Sequence, residues 1–452
     1  MKKDNVISKY SEEKIKNMED FCNDYKAFLS TCKTERECIN FITKMAVDNG
    51  YISLDDALKQ NKKLKSGDKV YAVNMGKAML LMVIGEHEMV HGLNFVGSHI
   101  DSPRLDLKAN PVYENNGLCL LDTHYYGGIK TYQWTTLPLA IHGTVVKKDG
   151  KKIDFVYGED EKDGVVGISD LLPHLDKNKK VEIQGEDLNV LVGSVPDMSK
   201  KEDKVKNNIL KILKSFDIDE EDLFSAEIEI VPSGKARDFG LDKSMIMGYG
   251  QDDRVCAYAS LRAMMEVKNP KHTSVCLFVD KEEIGSVGAT GMSSKFFENS
   301  IAEVMNLCGQ YNELDMRRAL NKSRMLSSDV TAAYDPNYPT PMNEATEAHF
   351  GRGISFNKYT GSKGKSGAND ANPEFIAKLR DVLDKYDVNY QATEMGKVDA
   401  GGGGTIAYIM AGYGMEVIDA GVPVLSMHAP WEITSKVDIF ESYMCYKAFY
   451  EM

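Results

Sequence analysis

Residues 272–288 read HTSVCLFVDKEEIGSVG. The run SVCLFV is apolar without alternation, the pattern of a strand buried on both faces of a parallel sheet. It stops at Asp280, and two adjacent glutamates, Glu282 and Glu283, follow at once. Surface glutamate pairs usually sit on helices. Directly after a buried strand, one of the two can bind a metal while its neighbour, pointing elsewhere, handles protons. Around this stretch, strand and helix alternate. RVCAYASLRAMMEV reads as a helix before it; helices fit 293–308, 373–386 and 436–451, and strands fit 324–328 and 416–426. The alternation predicts an α/β fold with covered sheet faces. The glycines at 401–404, directly before TIAYIMA, predict a close backbone approach at a helix start.

Further out, the first 50 residues read as two helices. Ser11 opens a charged amphipathic run to about Ser30. Thr34 and Glu37 form a capping box for a second helix that stops near Gly50. Three β-rich runs follow: VYAVNM, AMLLMVIG and NFVGSH. From about 109 to 235 the texture changes. LAIHGTVVKKDGKKIDFVYG reads as two strands around Asp149-Gly150. VEIQG, LNVLVGSV and AEIEIV add strand-like runs, and the helix VKNNILKILKSF interrupts them. The expected organisation is one α/β domain built from 1–108 and 236–452, with an inserted, mostly β domain at 109–235.

Lysine plus arginine is 55 and aspartate plus glutamate 68 in 452 residues, a net charge of -13. No global positive field attracts phosphates, which argues against nucleic-acid and membrane-surface partners. The N-terminus is charged where a signal peptide needs an apolar core, and no apolar run is long enough to span a bilayer. A cytoplasmic location follows as an expectation. The eight cysteines are sparse and form no CxxC, so buried free thiols are expected rather than disulfides or a zinc knuckle.

Five acidic or histidine positions fall at strand ends or helix starts: His99 with Asp101 in GSHIDSP, Asp252 in YGQDDRV, the Glu282–Glu283 pair, Asp329 in MLSSDVT and His428 in VPVLSMHAP. Alone, most of these read as caps or loop residues. Together they form the series H-x-D, D-D, E-E, D, H. Ligands bind beyond the carboxyl ends of strands in α/β sheets. Two histidines and three carboxylates, one of them bridging, satisfy two metal ions about 3.5–4 Å apart. Asp101, two residues past His99, is placed to fix the far nitrogen of that imidazole.

The runs VGSHIDSPRLDLK, GQDDRVCAYASL, VDKEEIGSVGATG, SSDVTAAYDPNY and VIDAGVPVLSMHAPWE resemble the aspartyl aminopeptidase and vacuolar aminopeptidase I family of dizinc metallopeptidases. The resemblance covers about residues 95–435. It implies a catalytic zinc-peptidase α/β domain with an inserted lid and assembly domain. It implies that His99 and Asp329 hold one zinc, that Glu283 and His428 hold the other, and that Asp252 bridges them. It makes Glu282 the general base and Asp101 the orienter of His99. His174, in LLPHLDK, matches a histidine that reaches a neighbouring subunit's active site. A homo-oligomer, a tetrahedral dodecamer with an enclosed chamber, is the implied assembly. Cobalt or manganese can replace zinc, because mixed nitrogen and oxygen ligands do not select sharply.

The implied substrates are short peptides with a free N-terminus, cleaved by metal-activated water. Between Ala348 and Asn369, the cations Arg352, Lys358, Lys363 and Lys365 stand without an acidic residue. The family's corresponding segment carries a substrate-side lysine, and Lys358 is the choice for pairing with an N-terminal Asp or Glu. The sequence departs from the family at Ala332 and Asp335, where histidines are usual, and at Gln251-Asp252-Asp253, where Leu-Asp-Asn is usual. A broad neutral aminopeptidase, a dizinc deacylase or carboxypeptidase, and a non-enzymatic scaffold are the rival readings. A scaffold has no need of Glu282. HEMVH at 87–91 superficially resembles a zinc helix but lies between two strands and reads as a loop.

Overall fold

A computed structural model describes residues 4–176 and 183–452. Capping chemistry sets the N-terminal helices as the sequence predicts. Ser11 accepts from the Lys14 N–H at the head of helix Glu12–Thr31, and Thr34 with Glu37 closes a capping box on Glu35–Asp48. Among the described residues no helix is long and apolar enough to cross a membrane.

By internal packing the chain divides into two units. The first comprises 1–101, 236–427 and 432–452; the second comprises 102–235 with 428–431. The boundary expected at 109 falls inside strand Arg104–Asn115, which pairs with Leu118–Tyr126 and Ala226–Pro232 in the second unit's sheet. A strand cannot be shared out along its length, so the unit begins at Ser102.

The first unit is built on a nine-stranded mixed sheet. At its centre Ser274–Val279, Asn94–His99, Arg324–Ser327 and Glu416–Gly421 run parallel in that order. Every residue of Ser274–Val279 and Asn94–His99 is buried, as the unbroken apolar run of the first demands, while the second buries the polar Asn94, Ser98 and His99 as well. Helices Gln251–Glu266 and Lys436–Tyr450 pack in the core beside them.

The single strand expected at 416–426 is two. Glu416–Gly421 belongs to the large sheet, and Pro423–Leu425 joins a five-stranded sheet with Glu432–Ser435 and Met245–Gly248. The break falls at Gly421, where a Cβ would lie 1.6 Å from the Asp329 carbonyl oxygen, so only glycine lets the two backbones meet. The glycine run behaves as predicted: a Cβ on Gly402 would lie 1.8 Å from the Gly361 carbonyl oxygen, and helix Ala407–Ala411 follows.

The second unit carries a six-stranded antiparallel sheet. It includes the predicted hairpin Leu139–Val146 with Lys152–Tyr157, and helix Lys204–Ser215 interrupts the strands as expected. Of the strand expected at 181–185, residues 181 and 182 lie outside the described residues, and Gly185–Asp187 is a 3-10 turn.

Candidate metal centre

Adjacent strand ends deliver the acidic residues to one place. Val279 pairs with His99, and Ser327 pairs with Gly97, so the segments leaving these three strands emerge side by side. Beyond Val279, Lys281 takes a left-handed turn at φ 67°, and Glu282–Ile284 forms one 3-10 turn. From another direction, Gly250 at φ 71° turns the chain from strand Met245–Gly248 into helix Gln251–Glu266. Asp252 and Asp253 keep non-helical angles there, and the peptide between them is cis.

His99 is the hub, 2% exposed. Its Nε2 lies 3.1 Å from Asp252 Oδ1, 3.7 Å from Asp329 Oδ1 and 3.9 Å from Glu282 Oε2. Its Nδ1 lies 3.0 Å from the Asp101 carbonyl oxygen and 3.3 Å from Asp101 Oδ1. Asp101 does more than orient the imidazole. Its two carboxylate oxygens accept the backbone N–H groups of Glu282 and Glu283, each at 3.2 Å. One buried aspartate therefore fixes both the histidine and the turn that carries the glutamate pair.

Three sets of donors each converge within 4.8 Å: His99 with Glu282 and Asp329, His99 with Asp252 and Glu283, and Asp252 with Asp253 and Asp329. One imidazole among many carboxylates is an electrostatic burden in a buried place. Burial, and then the charge of Asp329, pushes the Glu282 carboxyl up to about 8. The same two causes hold Asp253 well above the usual carboxylate range. Burial alone would lower the His99 pKa, but hydrogen bonds to Asp101, Asp252 and Asp329 raise it well above its ordinary value. Excess negative charge at buried nitrogen and oxygen donors is what a divalent cation relieves, and this donor set fits zinc.

The structure thus brings together His99, Asp101, Asp252, Glu282, Glu283 and Asp329. It adds Asp253, which the sequence offered only as half of a pair; its Oδ2 accepts the His99 N–H at 3.3 Å. His428 belongs to the four-residue piece that packs with the second unit, where its Nδ1 lies 2.8 Å from the Gly128 carbonyl oxygen. His174 is exposed on a turn of the second unit. Lys358 is exposed one residue beyond Asn357, which pairs with Asp419, and its carbonyl accepts the Ala371 N–H at 2.8 Å.

HEMVH is a loop containing the 3-10 turn Met89–His91. His142 lies 3.2 Å from Glu159 Oε1 through its Nε2. All eight cysteines are free thiols, seven of them buried.

Known proteins resemble this chain in sequence and fold. A family model described as aminopeptidase I zinc metalloprotease (M18) matches residues 28–450. A probable M18 family aminopeptidase 1 from Clostridium acetobutylicum is 57% identical over 453 residues, 98% of this chain and 97% of that protein. The crystal structure of an M18 family aminopeptidase from Thermotoga maritima superposes with a TM-score of 0.95 at 41% identity, covering 100% of this chain and 99% of that one. A dodecameric S. cerevisiae relative, 19% identical with a TM-score of 0.78, covers 96% of this chain and 97% of its own and shares the fold. Across all but the first residues and the last few, then, the chain belongs to the aminopeptidase I (M18) family of zinc metalloproteases, and it is a metalloaminopeptidase that hydrolyses peptide bonds.

Proposed function

We propose that this chain removes N-terminal residues from short peptides with a pair of zinc ions. His99 and Asp329 would hold one ion, Glu283 and His428 the other, with Asp252 between them. The observation that carries the reading is the convergence of His99, Glu282, Glu283 and Asp329, from adjacent strand ends, with Asp252 from the head of helix Gln251–Glu266. Bound zinc supplies positive charge that acidifies water and polarises the scissile carbonyl. Glu282, beside His99 and Asp329, would accept the proton of the attacking water and pass it to the leaving amine. Asp101 holds His99 in one orientation and keeps the Glu282 and Glu283 backbones still.

Assembly belongs to the same proposal. Leu171, Leu172 and Leu175 are 57%, 49% and 64% exposed around His174. Apolar surface of this kind favours contact with a second copy, and the dodecamer of the S. cerevisiae relative offers the arrangement. His174 would then serve a neighbouring subunit's site. The sparse, buried thiols suit a reducing cytoplasm.

Preference for N-terminal Asp or Glu rests on the basic loop. Lys365 is held there over the Tyr359 ring at 3.7 Å and lies 3.6 Å from Asp370, whereas Lys358 is exposed and makes no ion pair among the described residues. The experiment is kcat/KM for Glu-, Asp-, Leu- and Met-anilides and for N-acyl amino acids, with wild type and Lys358→Ala. Cleavage of the anilides alone is expected, with Lys358→Ala lowering the acidic pair by roughly 10-fold or more. If Leu or Met already leads in the wild type, the acidic preference fails. If the N-acyl substrates lead, a deacylase is the better reading.

A further inference from the structure

Asp252 heads a helix, so its N–H has no acceptor within that helix. It is also 4% exposed, which leaves no water to satisfy the group. The acceptor is a carboxylate that the sequence gave no reason to single out. Glu432 Oε2 takes the Asp252 N–H at 3.1 Å, and Glu432 itself is 1% exposed.

Strand pairing sets that contact. Glu432 lies opposite Gly248 in the antiparallel pair of Glu432–Ser435 with Met245–Gly248, the strand that leads into Asp252. The preceding residue tightens it. Gln251 donates its amide to the Glu432 carbonyl at 2.8 Å and to the Ile246 carbonyl at 2.9 Å, and it accepts the Tyr25 hydroxyl at 3.2 Å. Glutamine at 251, where the family usually has leucine, is thereby satisfied in a fully buried position. With its backbone held at N–H and from behind, Asp252 has little freedom left except its own side-chain torsions. Its Oδ1 then stands 3.1 Å from His99 Nε2.

Glu432 has a second connection. Strand Glu432–Ser435 also pairs with Pro423–Leu425, so Glu432 is the foot of the hairpin whose connecting segment carries His428. One buried carboxylate thus ties the backbone of one proposed ligand to the strand that follows another.

We propose that Glu432 is a positioning residue of the metal centre: its carboxylate fixes the Asp252 backbone so that the Asp252 side chain meets the metal preorganised. The proposal rests on the reading of Asp252 as a ligand. Partners that orient a ligand typically contribute 10–100-fold to metal affinity.

The test measures zinc dissociation constants on the metal-stripped full chain by competition with a chromophoric chelator, with circular dichroism reporting the fold. Glu432→Gln keeps an oxygen that can accept the N–H, and its affinity should stay near wild type. Glu432→Ala should weaken zinc roughly 10–100-fold. Glu432→Asp, one methylene shorter, should weaken it in the same direction while keeping a buried carboxylate. Folded Ala and Asp variants that bind zinc like wild type overturn the proposal, as does a Gln variant as weak as Ala. If Glu432→Ala does not fold, the contrast between Gln and Asp decides by the same criteria. Asp252→Asn, run beside them, keeps the two ideas apart. Retention of zinc by that variant overturns Asp252 as a ligand, whereas its loss with unaffected Glu432 variants overturns only the positioning role.

Discussion

Two acidic clusters in this chain have opposite proton affinities. In the β-rich unit, Lys147 lies 3.6, 3.3 and 2.8 Å from Asp217, Asp219 and Asp222, and Lys214 lies 2.6 Å from Asp219. Hydrogen bonds from lysines hold all three carboxyls below their usual range: Lys151 for Asp217, Lys214 and then Lys147 for Asp219, and Lys147 for Asp222. At the strand ends of the other unit, burial and the charge of Asp329 drive Asp253 and Glu282 upward instead. The first cluster carries its cations within the chain, and its carboxylates other than Asp222 meet water. The second is buried, with one imidazole at its hub. The contrast separates a solvated structural ion-pair network from a site whose positive charge must come from outside.

The largest effect expected from this contrast is at Glu282. Glu282→Gln keeps the shape and removes the proton acceptor, so turnover should fall at least about 100-fold with metal content unchanged. Loss of metal in that variant would reverse the roles of Glu282 and Glu283.

A smaller effect is thermal stability against pH in metal-free protein. The folded pKa of Glu282, about 8, stands above the unfolded value of about 4.3. Its contribution is therefore fully present below about pH 4 and is lost as pH rises through about 8. The melting temperature of metal-free protein should rise by a few degrees from pH 8.5 to pH 6, and zinc should reduce that slope to the part carried by Asp280, Asp419 and Asp438, whose buried carboxyls are raised to about 7. The carboxyls of Asp217, Asp219 and Asp222 are depressed, so their contribution holds above the unfolded value of about 3.9 and fades only in stronger acid. A metal-free protein with the same melting temperature at both pH values breaks the comparison.

The smallest effect concerns the solvated network. Lys151→Met should leave zinc content and turnover at wild-type values and lower the melting temperature only slightly, because the Lys151–Asp217 pair is 57% and 50% exposed and exposed ion pairs contribute little. A loss of turnover would show that the second unit's charges reach the chemistry.

Much of the acidic cluster at the candidate site was legible because buried parallel strands announce themselves. The run ending at Val279 has no polar alternation, and the candidate ligands stand at the end of, or within a few positions after, the strands ending at His99, Val279 and Ser327. Caps were legible for the same local reason, as at Thr34 and Glu37. What escaped depends on tertiary encounters. Strand Arg104–Asn115 reads RLDLKANPVYEN, too polar to mark as a strand, so the unit boundary fell inside it. The sheet change after Gly421 follows from the approach of the Asp329 carbonyl, which no local pattern encodes. The double grip of Asp101 on the Glu282 and Glu283 N–H groups, and that of Glu432 on Asp252, are side chain to backbone contacts between residues far apart in sequence. A lone glutamate in APWEI carries no periodic signal.

The central claim, a two-metal centre organised around Asp252, is tested most directly by counting metal. Wild-type protein and Asp252→Asn, purified in parallel and analysed by inductively coupled plasma mass spectrometry, should give about two zinc ions per chain and close to none. One zinc in the wild type, or an Asp252→Asn variant that keeps its full complement, would contradict the account.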